Sequence, residues 1–530
     1  MKSMKLSTAL SAFLALTLFS LCYYSLAPSL SAQQQQQQAD PPELAALRTA
    51  MALTDLQAKL KEFQRLKATY PNSRYAPAFD SGLLSVRTEL ADSLDKVLFA
   101  QKEIIAGSKP MDRLNLIVSA SQLIAKHPKL DTFPKDDVIK AIMDYKAQGI
   151  KLFADPEIIG QIPEKNRAEA TEQINNIFEI PIAKVQLLNG DAKAALATIE
   201  AYGKAQEPSE EYYSVLGDIY LSLNREKEAL EAYFGAALEG GNKTIGKAKT
   251  LFAKINGDAS KFDEELERRE SALPFHPPAF EAPADWKGKT VLAELFTGSE
   301  CGPCIGADFA FDGLLESYPA KYLAILEYHL PIPGPDPMMN PATKKRQDFY
   351  QVSGTPTRVI DGTNKVSSGG YRQHARGLFD EIKEEIDTAM GAAADLTIKA
   401  TARLEGDKVT VGAEFSKVIE NADYNIVLVQ AEEKHKGGNG IIFHKMVVRD
   451  IATVKPSEKA TATFNIAESE KAADAYLSEY EKAQQARRPD FKLPARKNII
   501  NRSNLKAVVF VQDKETKSVL NAFVADVAKQ

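Results

Sequence analysis

Two cysteines, Cys301 and Cys304, stand in the stretch ELFTGSECGPCIGADFAF that runs from Glu294 to Phe311. A pair at this spacing can support three chemistries: thiol-disulfide exchange, half of a metal site, or a short structural clasp. Zinc takes about four ligands. The remaining cysteine, Cys22, is far upstream, and neither His276 nor His329 shows a ligand spacing, so no metal is expected. A clasp over so short a loop would restrain little unfolded-state entropy. Exchange fits the surroundings better. The run Thr290 to Phe296 reads as a strand entering the pair, the run from Cys304 reads as a helix leaving it, and Pro303 suits a first helical turn, where a missing N–H costs nothing. Unpaired amides and the dipole at a helix start stabilise a thiolate on Cys301, the attacking species. Cys304, one turn on, can then resolve the mixed disulfide.

A second motif lies downstream, where VSGTPTRVIDG sets Thr355 and Pro356 just ahead of another strand. Strand, Cys-Gly-Pro-Cys, helix, and a later Thr-Pro before a strand together resemble the thioredoxin fold. The segment LPIPGPDPMMNPATKKRQDFY and an export-type N-terminus resemble secreted thioredoxin-like proteins of the TlpA type. The resemblance implies that Pro356 is cis and packs beside the cysteines, with Thr355 and Pro356 shaping the groove in which substrate docks. It also implies a protein disulfide as substrate, an upstream thiol as electron donor and no dissociable cofactor. The Gly-Pro dipeptide points to a reductant or exchange catalyst over a strong oxidant. Two departures stand out. Glu300 occupies the position where thioredoxins place Trp, and its charge is expected to raise the thiol pKa. The buried acid of that family falls on Leu295, which leaves Glu294 as the candidate proton acceptor for Cys304.

The elements that must hold these residues alternate between strand and helix over 289–390, after a Pro-rich linker at 274–288. Strands are predicted at Thr290 to Phe296, Tyr322 to Leu330 and around TRVIDG, and helices at CIGADFAFDGLLESY, NPATKKRQDFYQV and YRQHARGLFDEIKEEIDTAM. Seven short runs between 391 and 530, among them YNIVLVQAEE and LKAVVFVQD, predict a β-sandwich with a helical insertion at ESEKAADAYLSEYEKAQQARR. This tail resembles that of bacterial outer-membrane-associated proteins that pair such a domain with a sandwich. From 42 to 273 the apolar spacing is helical throughout. In EYYSVLGDIYLSLNREKEALEAYFGAALEGG, the residues Tyr213, Leu216, Gly217, Tyr220, Ala229, Tyr233 and Ala236 resemble a tetratricopeptide repeat, which implies a groove for a protein partner. The expected fold class is therefore multidomain: an α-helical repeat region, an α/β thioredoxin-like domain and an all-β sandwich.

Ahead of these, 1–32 reads as a signal peptide and 33–41 as a Gln-rich linker, which predicts export to the periplasm or cell envelope. The chain of 530 residues has a net charge of -5, which gives no electrostatic footprint for nucleic acid. The basic run QQARRPDFKLPARK reads as a solvated loop. Two functions remain in view: an exported thiol-disulfide oxidoreductase that recruits clients through its repeats, or an envelope scaffold whose thioredoxin-like domain is mainly a binding module.

Overall fold

The computed structural model describes residues 41–205, 209–239, 242–486 and 488–529. The predicted signal peptide, Cys22 and nearly all of the Gln-rich linker lie outside the described residues. The chain divides into two compact units, one ending at Phe262 and the other beginning at Asp263.

The first unit is helical, with no strand among its described residues. Its helices approach closely where a glycine faces an aromatic ring. A Cβ on Gly217, in the Glu210–Ser222 helix, would lie 2.4 Å from the ring of Tyr233 in the Glu226–Leu238 helix, and one on Gly235 would lie 2.6 Å from Tyr213. Gly82 receives Phe63 in the same way. Tyr233, Ala229 and Ala236 are buried, as the repeat spacing predicts. The buried Gln101 is paired on both sides of its amide: it donates to Thr88 (3.0 Å) and to the carbonyl of Ala120 (3.3 Å), and it accepts from Tyr145 (2.9 Å).

The second unit is built on eleven strands: β1 Val291–Thr297, β2 Leu323–His329, β3 Thr357–Ile360, β4 Asn364–Val366, β5 Ile398–Glu405, β6 Lys408–Phe415, β7 Ala422–Lys434, β8 Phe443–Val454, β9 Lys459–Asn465, β10 Leu505–Asp513 and β11 Val519–Lys529. Their order is β4-β3-β1-β2-β8-β7-β10-β11-β5-β6-β9. β1 runs parallel to β2 and antiparallel to β3. The predicted helices appear as Cys304–Ser317, Pro341–Tyr350, Ala375–Met390 and the insertion Ile466–Gln485.

The predicted boundary at 390/391 does not separate two bodies. β8 continues the sheet from β2, where Glu327 stands opposite Val447. Alternation along β7 and β10 explains the shared sheet. Val427, Val429, Val508 and Phe510 join the core that also holds β1, β2 and the Cys304–Ser317 helix. Ile426, Leu428, Val509 and Val511 face the other way, into a core with β5, β6 and β9. The strands predicted as a sandwich belong to one eleven-strand order that also contains the strands beneath the cysteine motif.

The Pro-rich segment is irregular, as its prolines require, yet it is not a free linker. Phe275, Phe280 and Trp286 pack against the sheet unit's core, and the Trp286 indole N–H donates to the carbonyl of Lys289 at 2.8 Å. The basic run is a loop in part. Arg496 pairs with Asp474 and Glu481, and Lys497 with Glu433.

Candidate functional site

Cys301 and Cys304 are disulfide-bonded, with Cα atoms 5.3 Å apart. Regular helix begins at Cys304 with Pro303 as its N-cap, so Cys301 sits in the turn just before it. The N–H of Cys304 reaches the carbonyl of Cys301 at 3.1 Å, and that of Cys301 reaches Gly298 at 3.0 Å. Thr355-Pro356 is a cis peptide, and the Thr355 hydroxyl donates to the carbonyl of Ile332 at 2.8 Å. The two motifs meet. A Cβ on Gly369 would lie 2.4 Å from both the Pro303 carbonyl oxygen and Pro356 Cγ, so the turn between the cysteines and the later proline flank one point.

That point is occupied by the protein itself. The Gly370 N–H donates to the Pro303 carbonyl and the Gly306 N–H to the Gly370 carbonyl, both at 2.7 Å. From the other side comes the β7–β8 loop. Asn439 donates through Nδ2 to the carbonyls of Gly298 (3.3 Å) and Cys301 (3.4 Å), and its own N–H donates to Ser299 (3.0 Å). Between the two loops, Cys301 is 1% exposed and Cys304 0%.

Glu300, placed by the sequence as a modulator of the thiol, accepts from the Gly438 N–H at 3.3 Å. A Cβ on Gly438 would lie 2.2 Å from the Glu300 carboxylate, so a larger residue there would push that side chain aside.

Glu294, placed by the sequence as proton acceptor, serves another purpose. It is fully buried and accepts from Arg346 Nη2 (2.6 and 2.9 Å), Arg346 Nε (3.0 Å), Tyr328 (2.9 Å) and Tyr350 (2.6 Å). A carboxylate so fully engaged by a guanidinium and two phenols ties together the elements that carry them. Gln512 of β10 completes the network by accepting from Arg346 and donating to Tyr350.

Other acids are buried on the elements next to the cysteines. Asp308 lies four residues after Cys304, hence on the same helix face one turn on. It is buried, and neither carboxyl oxygen has a hydrogen-bond partner. Burial, reinforced by Asp312 and Asp336 and partly offset by Thr297, holds its carboxyl well above the usual range. Glu327 on β2 is likewise buried with an unpartnered oxygen and is pushed up by burial and by Asp308 and Asp312. Burial also raises Asp312, to about 7. The hydroxyls of Thr297 and Ser299, buried nearby in sequence at the end of β1, are unpartnered too.

His329 is not exposed at a strand end. It is buried and shares 3.0 Å with Asp336, which also accepts from the N–H groups of Ser299 (2.7 Å) and Met338 (2.8 Å). Despite burial, His329 and these donors hold Asp336 at about 2. His444 packs edge-on against His329 and is lowered by burial to about 3. Among the described residues no group of His, Cys, Asp and Glu is arranged to hold a metal ion.

No protein family and no curated protein matches this sequence. Solved structures that align with it include a protein of Agrobacterium tumefaciens (16% identity, 44% of this chain and 92% of that one, TM-score 0.28), a thermophilic TPR protein of Thermus thermophilus (18%, 40% and 98%, 0.27) and a tetratricopeptide repeat protein of Parabacteroides merdae (15%, 39% and 96%, 0.15). Likeness at these scores carries no argument about fold or function. What stands is a chain that joins a helical unit to a sheet-based one.

Proposed function

We propose that this chain is an exported, thioredoxin-like thiol-disulfide oxidoreductase of the periplasm or cell envelope, with its helical unit recruiting a protein partner. The observation that carries the reading is the meeting of Pro303 and Pro356 at one point beside a cysteine pair that opens a helix. Cys301 would attack a protein disulfide as the thiolate, expelling one substrate sulfur and forming a mixed disulfide. Cys304 would then attack Cys301, releasing the second substrate sulfur as a thiol and closing the Cys301–Cys304 bond; an upstream thiol donor would reduce that bond again. The proton that Cys304 loses needs an acceptor. Asp308 takes the role first assigned to Glu294, since it is buried on the Cys304 face; because burial raises its carboxyl, it serves as acceptor in its ionised form only. Thr355 and Pro356 would shape the docking groove.

Trapping tests the reading. Cys304→Ser should accumulate mixed disulfides through Cys301 that identify the client, and Cys301→Ser should not. Equal yields from the two variants, or none from either, would remove it.

A second reading has its own support. Both cysteines are covered, which suits a scaffold whose thioredoxin-like unit binds without catalysing. The cleft lined by Tyr213, Leu216, Tyr220 and Lys227 would serve partner binding in either case. A disulfide that never exchanges with protein thiols, in a chain that still captures a partner through this cleft, would decide for the scaffold.

A further inference from the structure

The two loops that cover the disulfide are fastened to one and the same segment. At the end of β7, Lys434 pairs with Glu267 at 2.5 Å, and in the β7–β8 loop that follows, Lys436 bridges both carboxylate oxygens of Glu270 at 2.7 and 2.8 Å. From the loop that follows Gly369 and Gly370, Arg372 donates to the main-chain carbonyls of Glu270 (2.9 Å), Arg269 (3.0 Å) and Ala272. All five acceptors lie on the Phe262–Ser271 helix or just past its end. The same segment continues into an apolar contact beneath both loops. Leu273 and Phe275 pack on a small cluster of Phe309 from the cysteine helix, Ala375 after the first loop and Ile441 at the end of the second. The Arg372 guanidinium also lies 4.4 Å over the Phe309 ring.

We propose that the segment Glu267–Phe275 is a latch that holds both covering loops shut over Cys301 and Cys304, so that access to the disulfide is set by where this segment lies. The inference rests on the exchange reading above only for its purpose, because the closure itself is a property of the fold. Its logic is a difference in the strength of the fastenings. Both lysines are more than half exposed, and pairs open to solvent on one side hold weakly. Arg372 is buried and makes three charge-assisted bonds to carbonyls that no longer have helical partners. The helix end therefore acts as a socket for one arginine. Withdrawing that helix would release the Gly369–Gly370 strand from Pro303 and Pro356 and free the β7–β8 loop from Ser299 to Cys301. The chain reaches the latch directly from the helical unit, so a partner pulling on that unit would pull on this helix.

The test uses the full oxidised chain and a water-soluble phosphine, which takes oxygen from water as it is oxidised and leaves both sulfurs as thiols. Arg372→Met should speed reduction of the Cys301–Cys304 bond on the order of tenfold, as loss of one or two net hydrogen bonds would. Glu267→Gln with Glu270→Gln should give a smaller acceleration. In both, amide exchange should rise at 368–372 and 436–441 ahead of the sheet. Should Arg372→Met fail to fold, the double Glu→Gln variant, which alters only the two lysine pairs and keeps side-chain volume, still decides. Equal reduction rates in wild type and variants would overturn the latch. Faster reduction without any trapped client would sustain the latch and remove the oxidoreductase reading; unchanged rates with trapped clients would do the reverse.

Discussion

At Cys304 the question is where a proton goes. Asp308→Asn keeps the volume and removes the acid, so resolution of the mixed disulfide should slow on the order of 10²-fold. Quenched-flow alkylation of the intermediate measures this. Glu294→Gln should leave that rate almost alone, and the reverse ranking would restore Glu294 to the relay. Asp312 gives a separate signature. Its carboxyl holds its proton to about pH 7 in the folded chain and to the ordinary range, near 3.8, when unfolded. Between those values the folded state binds more protons, and stability from this group falls as pH rises through the window. Relative to wild type, Asp312→Asn should therefore gain urea resistance from pH 4 to pH 8; a gap that stays constant would contradict the assignment. Asp308 was legible in the sequence. It sits inside CIGADFAF at the four-residue spacing that puts it on the Cys304 face, a plainer signal than an acid sought upstream by analogy. The partners of Glu294 were not legible, because Arg346 and Tyr350 reach it from 52 and 56 residues away in the chain.

At the scale of elements, that network ties β1, β2, the Pro341–Tyr350 helix and β10 together. Removing the carboxylate leaves Arg346 buried without its counter-charge. Glu294→Gln should cost about 3–5 kcal/mol, read from the denaturant midpoint. In the helical unit, Gly217→Ala would press a methyl into the Tyr233 ring and should cost about 1–3 kcal/mol by the same measurement. The strands and helices around the cysteines were readable from periodicity, since each is a short apolar run bounded by Gly or Pro. β4 was not. It is three residues long, has no buried face, and exists only as the return arm after Asp361 and Gly362.

For the whole molecule, the shared sheet changes what counts as a folding unit. Residues 391–530 expressed alone should fail to fold cooperatively, because Val427, Val429, Val508 and Phe510 would lose the core they share with β1 and β2. Residues 263–530 should unfold in one transition by circular dichroism; a stable, monomeric 391–530 fragment would overturn this. The boundary was missed because YNIVLVQ and LKAVVFVQ were read as strands of a separate sandwich. Their unbroken apolar character is what strands covered on both sides require.

The join between β2 and β8 is a single rung at Glu327 and Val447, whereas β7 and β8 pair along nearly their whole length. A sheet so unevenly stitched has a grain, like wood. Force applied along the chain would split it at that rung first. The crack would open beside Glu327, whose carboxyl burial pushes above its usual range, so water admitted there would favour its charged form and oppose re-closure.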